Sequence, residues 1–374
     1  MNYRTYRNAT IIAIFAVSLI APLAATVFKL DRSPALQENR EHAKFPVVSF
    51  EKAALKRFPH DFYNYFKDNF GFRDVFIRLN FLIRRRLLRE TEFNEVLFGE
   101  NGWLFFLGEH EMDDARGITH YSDDTLAMWT ASLERKRQWL AARGIRYLFV
   151  IAPNKETIYG ENLPSYYRSV AITGLDEFVD YVGTHSRVEM LDLRPALLAA
   201  KKNERLYKKT DTHWNRYGAF LAYQEIVKAM SRGVSSKPAS ALSDFTIEKR
   251  YEKGGDLALL VGGSEFITEE EINLIPHKKR LACRVEMNTG DPRTYAMRQE
   301  NKKLPKAIVF RDSFFDEIIP YISEHFQHVQ YYRKHWDQSV PIASIVAEVR
   351  PDIVIEEFAE RRIKMDMGSF SPPD

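Results

Sequence analysis

The first apolar feature of the chain is an uncharged run that extends from Ala9 to Phe28. About 20 apolar residues can cross a bilayer as a helix, and lipid-embedded helices tolerate a proline such as Pro22. Arg4 and Arg7 precede the run, which favours a cytoplasmic N-terminus and a body outside the membrane. We interpret residues 1–28 as an anchor. A cleaved signal peptide is the alternative, although no strict Ala-x-Ala motif follows the run.

Beyond the anchor, the pattern changes from polar to helical. Residues 29–48 are polar and contain Pro34 and Pro46, which indicates a tether leaving the membrane. Apolar residues then recur at helical spacing in two runs separated by Gly71, so residues 29–90 are predicted to form a tether and a helical stalk. The second run carries a basic cluster, Arg84-Arg85-Arg86. It is either a solvated helix face or a contact for a polyanion or acidic headgroups.

Residues 91–374 are predicted to form the main domain. Around Asn101-Gly102, two short apolar segments have the pattern of a β-hairpin. Farther along, apolar strands alternate with amphipathic helices, which predicts an α/β fold with a mostly parallel sheet flanked by helices. The strands are predicted at 147–151, 188–191, 307–310, 329–332 and 353–355, and the helices at 122–143, 175–184 and 217–230. The irregular stretch 231–300 is interpreted as an insertion, a lid or a substrate wall.

Charge and cysteine content exclude several classes of protein. The net charge is +3 with nearly balanced acids and bases, which argues against a nucleic-acid-binding protein. Cys283 is the only cysteine, so no internal disulfide and no cysteine-rich zinc site can form. His325, His328 and His335 cluster in the sequence, but no nearby carboxylate completes a ligand set. We therefore expect neither a metal nor another cofactor.

The candidate chemistry lies in two short segments, Asp211-Thr212-His213 and Asp312-Ser313-Phe314. In an extended segment, residues i and i+2 point to one side, with Cα atoms about 6.5–7 Å apart. The Asp211 carboxylate can then reach Nδ1 of His213 and leave Nε2 free for a serine. Ser313 follows a predicted strand, so the three residues have the composition of a Ser-His-Asp triad.

Each of these residues also has a structural interpretation. Ser313-x-x-Asp316 resembles a capping box, Asp211 can cap the helix that follows it, and His213 can be a core histidine. Capping by Ser313 is compatible with catalysis, because the N–H groups at a helix N-terminus can also hold a developing oxyanion.

In a parallel α/β sheet, ligands bind beyond the carboxyl ends of the strands. Asn154, Ser313, Arg333 and Glu356 are all predicted to follow strands. We assign Asn154 to the oxyanion, and we expect Lys155, Arg333 and Trp336 to line a pocket that excludes water. The alternatives are that Lys155 is a surface charge and that Trp336 belongs to the core.

The segment Asp211-Thr212-His213-Trp214-Asn215 resembles the signature of the alginate O-acetyltransferase family, which has SGNH-hydrolase-like domains. Further matches extend over roughly residues 38 to 361: Glu38-Asn39-Arg40, Phe45-Pro46, Asp68-Asn69-Phe70-Gly71-Phe72-Arg73, Gly102-Trp103-Leu104-Phe105, Pro153-Asn154-Lys155, Gly255-Asp256-Leu257-Ala258, Arg311-Asp312-Ser313-Phe314, Pro351-Asp352-Ile353-Val354-Ile355 and Glu360-Arg361. The resemblance implies that residues 91–374 are an SGNH-like acyltransferase domain. It also implies that Ser313 is the nucleophile, His213 the general base and Asp211 its orienting partner.

The resemblance further implies a location, substrates and a partner. Family members acetylate exopolysaccharides outside the inner membrane of Gram-negative bacteria, so we expect this chain on the periplasmic face of that membrane. The acceptor would be a polysaccharide, and a membrane-embedded acyltransferase would supply acetyl groups. Because only a short tail follows Arg361, we expect no C-terminal carbohydrate-binding module. A carbohydrate acetyl-esterase with the same triad and a non-catalytic scaffold of a polysaccharide export complex are the alternatives.

Overall fold

A computed structural model of the protein describes residues 3–28, 30–31, 42–168, 172–234, 237–337 and 339–370. Much of the predicted tether, with Pro34 and the motif Glu38-Asn39-Arg40, lies outside the described residues. The chain divides into two compact units. The first comprises residues 1–94 and 258–267, and the second comprises 95–257 and 268–374.

The first unit is mainly helical. Helix α1 (Tyr3–Phe28) contains the segment Tyr6–Phe28, whose mean hydropathy of 2.5 and length suit a membrane span. Helices α2 (Lys52–Asn69) and α3 (Arg73–Leu82) follow, and one π-helical turn (Ile83–Leu87) extends α3 before the short strand β1 (Glu92–Phe93). The predicted break near Gly71 between two stalk helices is therefore observed.

The second unit is built on strands that alternate with helices. In chain order, the strands are β2 (Val96–Phe98), β3 (Leu104–Phe106), β4 (Arg146–Ala152), β5 (Glu189–Asp192), β6 (Phe245–Lys253), β7 (Thr268–Pro276), β8 (Cys283–Glu286), β9 (Tyr295–Arg298), β10 (Lys306–Phe310), β11 (His328–Tyr332) and β12 (Ile353–Ala359). The helices are α4 (Glu111–Ala115), α5 (Asp123–Ala141), α6 (Lys155–Tyr159), α7 (Gly174–His185), α8 (Arg194–Ala200), α9 (Arg216–Met230), α10 (Asp256–Leu260), α11 (Ile319–Ile322), α12 (Ile342–Val349) and α13 (Ile363–Asp366); the division between the units falls within α10.

The central sheet has seven strands in the order β5-β4-β12-β10-β11-β9-β8. The first five are parallel neighbours, which confirms the predicted α/β fold, whereas β9 and β8 pair antiparallel at the edge. Both edge strands lie within 231–300, so part of the stretch interpreted as an insertion extends the main sheet. The sequence did not reveal them because each segment is only four residues long and carries charge, and Ala296 is the one side chain of the two strands that is buried. Strands β6 and β7 form a separate antiparallel ribbon.

Side chains of the sheet alternate between two hydrophobic layers. Along β4, Leu148 and Val150 enter one layer with α9, whereas Phe149 and Ile151 enter the other with α5, α7 and α12. This alternation follows from the two-residue period of a strand, and burial on both faces explains the nearly continuous apolar pattern of β4. The turn predicted at Asn101-Gly102 does join β2 to β3, and both turn residues have positive φ.

Glu356 was predicted at a strand end, but it lies in the middle of β12 and is fully buried. The Nζ of Lys136, on α5, lies 2.9 Å from both of its carboxylate oxygens. The hydroxyl of Tyr147 and the backbone N–H of Trp336 also donate to this carboxylate. Glu356 therefore forms a saturated ion pair inside the second hydrophobic layer, with no carboxylate oxygen left for a substrate.

Lys136→Met is expected to lower the free energy of unfolding by about 3–5 kcal/mol, because it leaves a buried carboxylate without its counter-charge. Denaturant unfolding measures the loss. The matched control is Lys228→Met, which breaks an ion pair with Glu225 at a lysine that is 68% exposed and is expected to change stability by less than about 0.5 kcal/mol. Equal losses in the two variants would contradict the buried-pair interpretation.

Candidate active site

The Asp211–His213 segment lies in a closed loop before α9. Tyr207 and Trp214 form an antiparallel bridge, and the N–H of Asn215 donates to the carbonyl of Leu206 at 2.8 Å. The side chain of Asn215 caps α9 by accepting hydrogen bonds from the N–H groups of residues 217 and 218. Because Asn215 is the cap, the alternative in which Asp211 caps this helix is wrong.

Asp211 and His213 are hydrogen-bonded as their spacing predicted. Oδ1 of Asp211 lies 2.7 Å from Nδ1 of His213 and also accepts the backbone N–H of His213 at 2.9 Å. Burial alone raises the pKa of Asp211, but the hydrogen bonds and charge of His213 outweigh that effect, so the net pKa is well below its usual range. A carboxylate that stays ionised on Nδ1 directs the other ring nitrogen, Nε2, away from the pair.

Nε2 of His213 is buried and has no hydrogen-bond partner among the described residues. The imidazole ring packs against the ring of Phe314, with centroids 4.9 Å apart. A buried, unpartnered ring nitrogen is unusual and calls for an explanation such as a catalytic role. Asp211 therefore orients the ring through Nδ1, and Nε2 makes no hydrogen bond to the described residues.

Ser313 lies three residues after the end of β10, and its side chain does not cap the turn that follows it. That turn is a four-residue 3-10 helix, Phe314–Glu317, shorter than the predicted helix. The carboxylate of the preceding residue, Asp312, accepts the N–H of Phe314 at 2.8 Å and that of Ala359 at 2.7 Å. The predicted capping box is wrong because the N–H of Asp316, which it would direct to the serine hydroxyl, donates instead to the backbone carbonyl of Ser313 at 3.2 Å. The hydroxyl of Ser313 is therefore not committed to the cap.

Trp214 and Phe314 join the two candidate segments. The indole Nε1–H of Trp214 donates to the carbonyl of Phe314 at 2.9 Å, and the two rings meet edge to face with centroids 5.0 Å apart. The residue after His213 is thus bonded to the residue after Ser313, across a sequence separation of 100 residues. Nε2 of His213 makes no hydrogen bond to Ser313 in this structure, a separation common in unliganded acid–base sites.

Asp256 is a third charged residue at the imidazole, and sequence reasoning gave it no role. Its two carboxylate oxygens accept the N–H of Thr212 at 2.8 Å and the hydroxyl of Thr212 at 2.6 Å. Oδ2 also lies 3.6 Å from Nδ1 of His213, and the N–H of Asp256 donates to Asp211 at 3.2 Å. Burial and the nearby charge of Asp211 raise the pKa of Asp256. The signal was available in the motif Gly255-Asp256-Leu257.

Gly255 permits this close packing. A Cβ at this position would lie 2.6 Å from the Cβ of Asp211, closer than real side chains approach. The N–H of Gly255 also donates to Oγ1 of Thr210 at 2.8 Å. The ligand atoms of Asp211, His213 and Asp256 lie within 4.8 Å of one another, which is also the spacing of a three-ligand cation site. Both carboxylates also accept hydrogen bonds from the protein, Asp211 from His213 and Asp256 from Thr212.

Lys155 is neither a surface charge nor placed to contact a substrate. It is 1% exposed, and its Nζ donates to the carbonyls of residues 208, 209 and 211, the last at 2.7 Å. Burial lowers the pKa of Lys155, although nearby carboxylates oppose the shift. The lysine therefore holds the backbone of the loop that carries Asp211, and its predicted substrate contact is replaced by a positioning role.

Asn154 lies directly after β4 and is 2% exposed. Its N–H donates to Glu360 at 2.8 Å, and its Oδ1 accepts the N–H of Arg361 at 3.4 Å. Because Oδ1 is engaged in this way, the amide orientation leaves Nδ2 as a donor. Arg361 in turn places its guanidinium over the Phe314 ring, 5.4 Å from the centroid, and bonds Glu111 at 2.9 Å. Asn154 is thus connected through Arg361 to the residue after Ser313.

Arg333 and Trp336 have different environments. Arg333 follows β11 and pairs with Asp316 at 2.7 Å; Arg311, which follows β10, bonds the same carboxylate. Arg333 is therefore connected to the turn after Ser313. Trp336 is 2% exposed and packs against Trp139, Phe310 and Phe370 in the second hydrophobic layer, on the sheet face opposite Phe314. Its predicted place in the pocket is not what the structure shows, because the chain beyond the end of β11 buries the indole in that layer.

The three clustered histidines have separate partners. His325 bonds the hydroxyl of Tyr223 at 2.8 Å, and burial lowers its pKa to about 4. His328 accepts from Arg298 at 2.9 Å, and His335 lies 3.2 Å from Asp366. They act as packing and pairing residues, each in its own environment.

Comparisons with known proteins agree with this architecture. Residues 96–278, just under half of the chain, match the family described as "SGNH hydrolase-like domain, acetyltransferase AlgX"; the match includes Asp211, His213 and Asp256 and ends before Ser313. Two relatives described as probable alginate O-acetylase AlgJ are each 27% identical. The Pseudomonas fluorescens protein matches over 52% of this chain and 48% of its own length, and the Pseudomonas putida protein over 75% and 74%. The chain thus spans about half the length of the first relative.

Two solved structures share the fold. PatB1 of Bacillus cereus has a TM-score of 0.56 at 18% identity and covers 74% of this chain and 99% of its own. A DHHW family protein from Eubacterium siraeum has a TM-score of 0.54 at 17% identity, covering 75% of this chain and 98% of its own. The fold is therefore that of an SGNH-hydrolase-like α/β protein. Part of the chain is thus similar to the AlgX acetyltransferase family, and the chain is similar to proteins described as probable alginate O-acetylase AlgJ.

The carboxyl of Glu360, which accepts the N–H of Asn154, allows a pH-dependent test of the hydrogen bonds around Asn154. Burial raises its pKa from 4.5 to about 7. The folded protein therefore holds this proton more tightly than the unfolded chain, and the stability that the proton confers is lost as the pH rises from about 4.5 to about 7. Relative to Glu360→Gln, the wild type is expected to lose about 3 kcal/mol across this window. Urea unfolding of both proteins at pH 4.5, 6 and 7.5 measures the difference, and a constant difference would contradict the raised pKa.

Proposed function

We propose that this protein transfers acetyl groups to hydroxyls of an exported polysaccharide through an acetyl-Ser313 intermediate. One observation carries the proposal. Asp211 orients the His213 ring, which packs on Phe314, the residue after Ser313, and the buried Nε2 has no hydrogen-bond partner within the described part of the chain. An oriented base next to a serine at a strand end is the arrangement that activates a hydroxyl for acyl transfer. The names of the AlgJ relatives support the acetyl group and the alginate-like acceptor.

In the first half of the reaction, Nε2 of His213 takes the proton of Ser313, and Oγ attacks the carbonyl carbon of an acetyl donor. The resulting oxyanion is held by the backbone N–H of Ser313 and by Nδ2 of Asn154. The N–H groups of both neighbouring residues, Asp312 and Phe314, are already bonded to carboxylates, whereas that of Ser313 has no acceptor within the described residues. The oxyanion then collapses, the donor leaves with a proton from His213, and acetyl-Ser313 remains.

In the second half, a sugar hydroxyl attacks acetyl-Ser313 while His213 removes its proton. A second oxyanion forms on the same donors. Its collapse releases the acetylated sugar, and the proton returns from His213 to Oγ. Asp211 stays ionised throughout and stabilises the imidazolium formed in each half. If water replaces the sugar hydroxyl, the same steps give an acetyl-esterase, which is the second candidate function.

The location and the donor belong to the same proposal. Helix α1 anchors the protein in the bacterial inner membrane with the catalytic unit on the periplasmic face. A membrane-embedded acyltransferase, the partner that the family resemblance implies, supplies the acetyl group across the bilayer. The proposed acceptor is an anionic, alginate-like polymer.

Ser313→Ala is expected to lower turnover of a chromogenic acetyl ester by about 10³-fold or more, because the attacking oxygen is lost. Mass spectrometry of the wild type with an activated acetyl ester is expected to find acetyl on Ser313, and His213→Ala is expected to abolish it. Ser344→Ala, at an exposed serine on α12, is the control and keeps full activity. Unchanged esterase activity in Ser313→Ala would contradict the proposed triad.

Product analysis separates transferase from esterase. The full-length protein is incubated with the acetyl ester and unacetylated mannuronate oligosaccharides, and free acetate and acetylated sugar are quantified. A transferase forms O-acetylated oligosaccharide in a Ser313-dependent reaction. Acetate as the sole product at saturating acceptor would favour the esterase.

Unchanged turnover in a chelator excludes a required cation among Asp211, His213 and Asp256.

Asp256→Asn is expected to lower turnover by about tenfold or more while leaving the protein folded. The amide can accept only one of the two hydrogen bonds from Thr212, and a lost bond to a charged group costs about 1–3 kcal/mol. Because its effect passes through His213, the loss should fall on kcat, and the pH profile should move. Asp244→Asn, at an exposed carboxylate outside the loop, is the control. A change in KM alone, with an unmoved pH profile, would contradict the positioning role.

A further inference from the structure

Helix α3 of the first unit is apolar on two faces, and only one of them is covered. Ile77 and Phe81 pack on the returning segment 258–267: a Cβ at Gly262 would meet Ile77, and the ring of Phe81 stacks on Phe266 at 5.7 Å. The other face is exposed along one helical line, with exposed fractions of 40–73% at Phe76, Leu79, Ile83 and Leu87. Four large apolar side chains in a row on a solvent-facing helix mark an interaction surface.

The exposed face continues across the corner into α2. The ring of Phe70 stacks on Phe66 of α2 at 6.0 Å and on Phe76 of α3 at 6.3 Å. Phe62, one turn before Phe66, is also exposed. The exposed apolar residues of the two helices, joined by the half-buried Phe70 at the corner, thus form one continuous surface. We call it the stalk surface, and it consists of Phe62, Phe66, Phe70, Phe76, Leu79, Ile83 and Leu87.

The corner between α2 and α3 is fixed to the end of the apolar helix α1. A Cβ at Gly71 would lie 2.4 Å from the Cβ of Ala25, and the N–H of Gly71 donates to Oγ1 of Thr26 at 2.7 Å. Ala25 is 1% exposed, whereas α1 is otherwise almost uncovered. The N–H of Phe72 also donates to Asp31 at 2.7 Å. Such built contacts support a retained anchor over a cleaved signal peptide, and they hold the stalk surface at the level where α1 leaves the bilayer.

The charges around the stalk surface are mostly positive. Residues 50–90 contain ten lysines and arginines against five aspartates and glutamates, a net charge of +5. Arg86 and Arg89, beside Leu87, are exposed. An apolar helix face flanked by basic residues is the composition of helices that lie in the plane of a membrane interface and bind anionic lipids.

We propose that α2 and α3 lie in the interface of the membrane, with the stalk surface inserted among the headgroups of anionic phospholipids. This inference rests on the membrane anchoring proposed above. Its effect is to restrict the first unit to the membrane surface by two attachments, the spanning helix and the interfacial helices. A protein that covers the stalk surface instead is the alternative.

The test uses the full chain in vesicles of phosphatidylethanolamine and phosphatidylglycerol, with no other protein. In a Cys283→Ser background, an environment-sensitive fluorophore is attached at Leu79→Cys. The matched control is Ile247→Cys, a site of similar exposure on β6 in the second unit. Quenching by spin-labelled lipid is compared with quenching by aqueous iodide. The label at position 79 is expected to be quenched several-fold more by the lipid probe than the label at 247, and less by iodide.

Each outcome tests a different part of the proposal: the anchor, the interfacial position of the helices or the role of anionic headgroups. If the protein floats with the vesicles but iodide quenches both labels equally, the anchor holds and the interfacial proposal is overturned in favour of a protein partner. If the protein does not float, the anchor fails and takes the proposal with it. Arg86→Glu combined with Arg89→Glu, or replacement of phosphatidylglycerol by phosphatidylcholine, is expected to reduce lipid quenching at position 79. Unchanged quenching in both would overturn the role of anionic headgroups.

Discussion

The hydrogen bond from the Trp214 indole to the carbonyl of Phe314 is the interaction on which the candidate site depends. Both residues are fully buried, and each is the immediate neighbour of a candidate catalytic residue, His213 or Ser313. A buried indole N–H without an acceptor is costly. The bond therefore favours the arrangement in which the loop before α9 lies against the turn after β10. Two segments far apart in the sequence thus become parts of one site.

The loop that carries the imidazole is held in place by hydrogen bonds from two other segments of the chain. Lys155 binds its backbone carbonyls from one side, and Asp256 binds Thr212 and Asp211 from another. Such support matters because a general base must keep its orientation while its charge changes during the reaction. One of the charges that hold the loop, Lys155, is buried, and burying a charge is costly unless it is well paired.

Buried carboxyl groups collect at the carboxyl ends of the parallel strands. Burial raises the pKa of Glu357 and Glu111, and a neighbouring carboxylate raises each further: Asp312 for Glu357 and Glu156 for Glu111. Arg361 compensates part of this charge and lies against the ring of Phe314. Concentrated, perturbed titratable groups next to a candidate nucleophile are typical of functional sites, where stability is sacrificed for chemistry.

The sequence by itself determined the apolar helix α1, the helix–strand alternation of the parallel sheet, and the pairing of Asp211 with His213, because periodicity and i, i+2 spacing are local properties. It did not reveal the edge strands β8 and β9, whose backbone pairing leaves little trace in exposed side chains. Only the tertiary structure decided which strand-end residues face the site. It placed Lys155 and Asp256 around the imidazole loop, the Asp312 carboxylate on the N–H of Phe314, and Trp336 in the second hydrophobic layer. These outcomes depend on which side chains and backbone groups pack or form hydrogen bonds with one another. The groups come from segments far apart in the chain, so local sequence patterns do not predict the result.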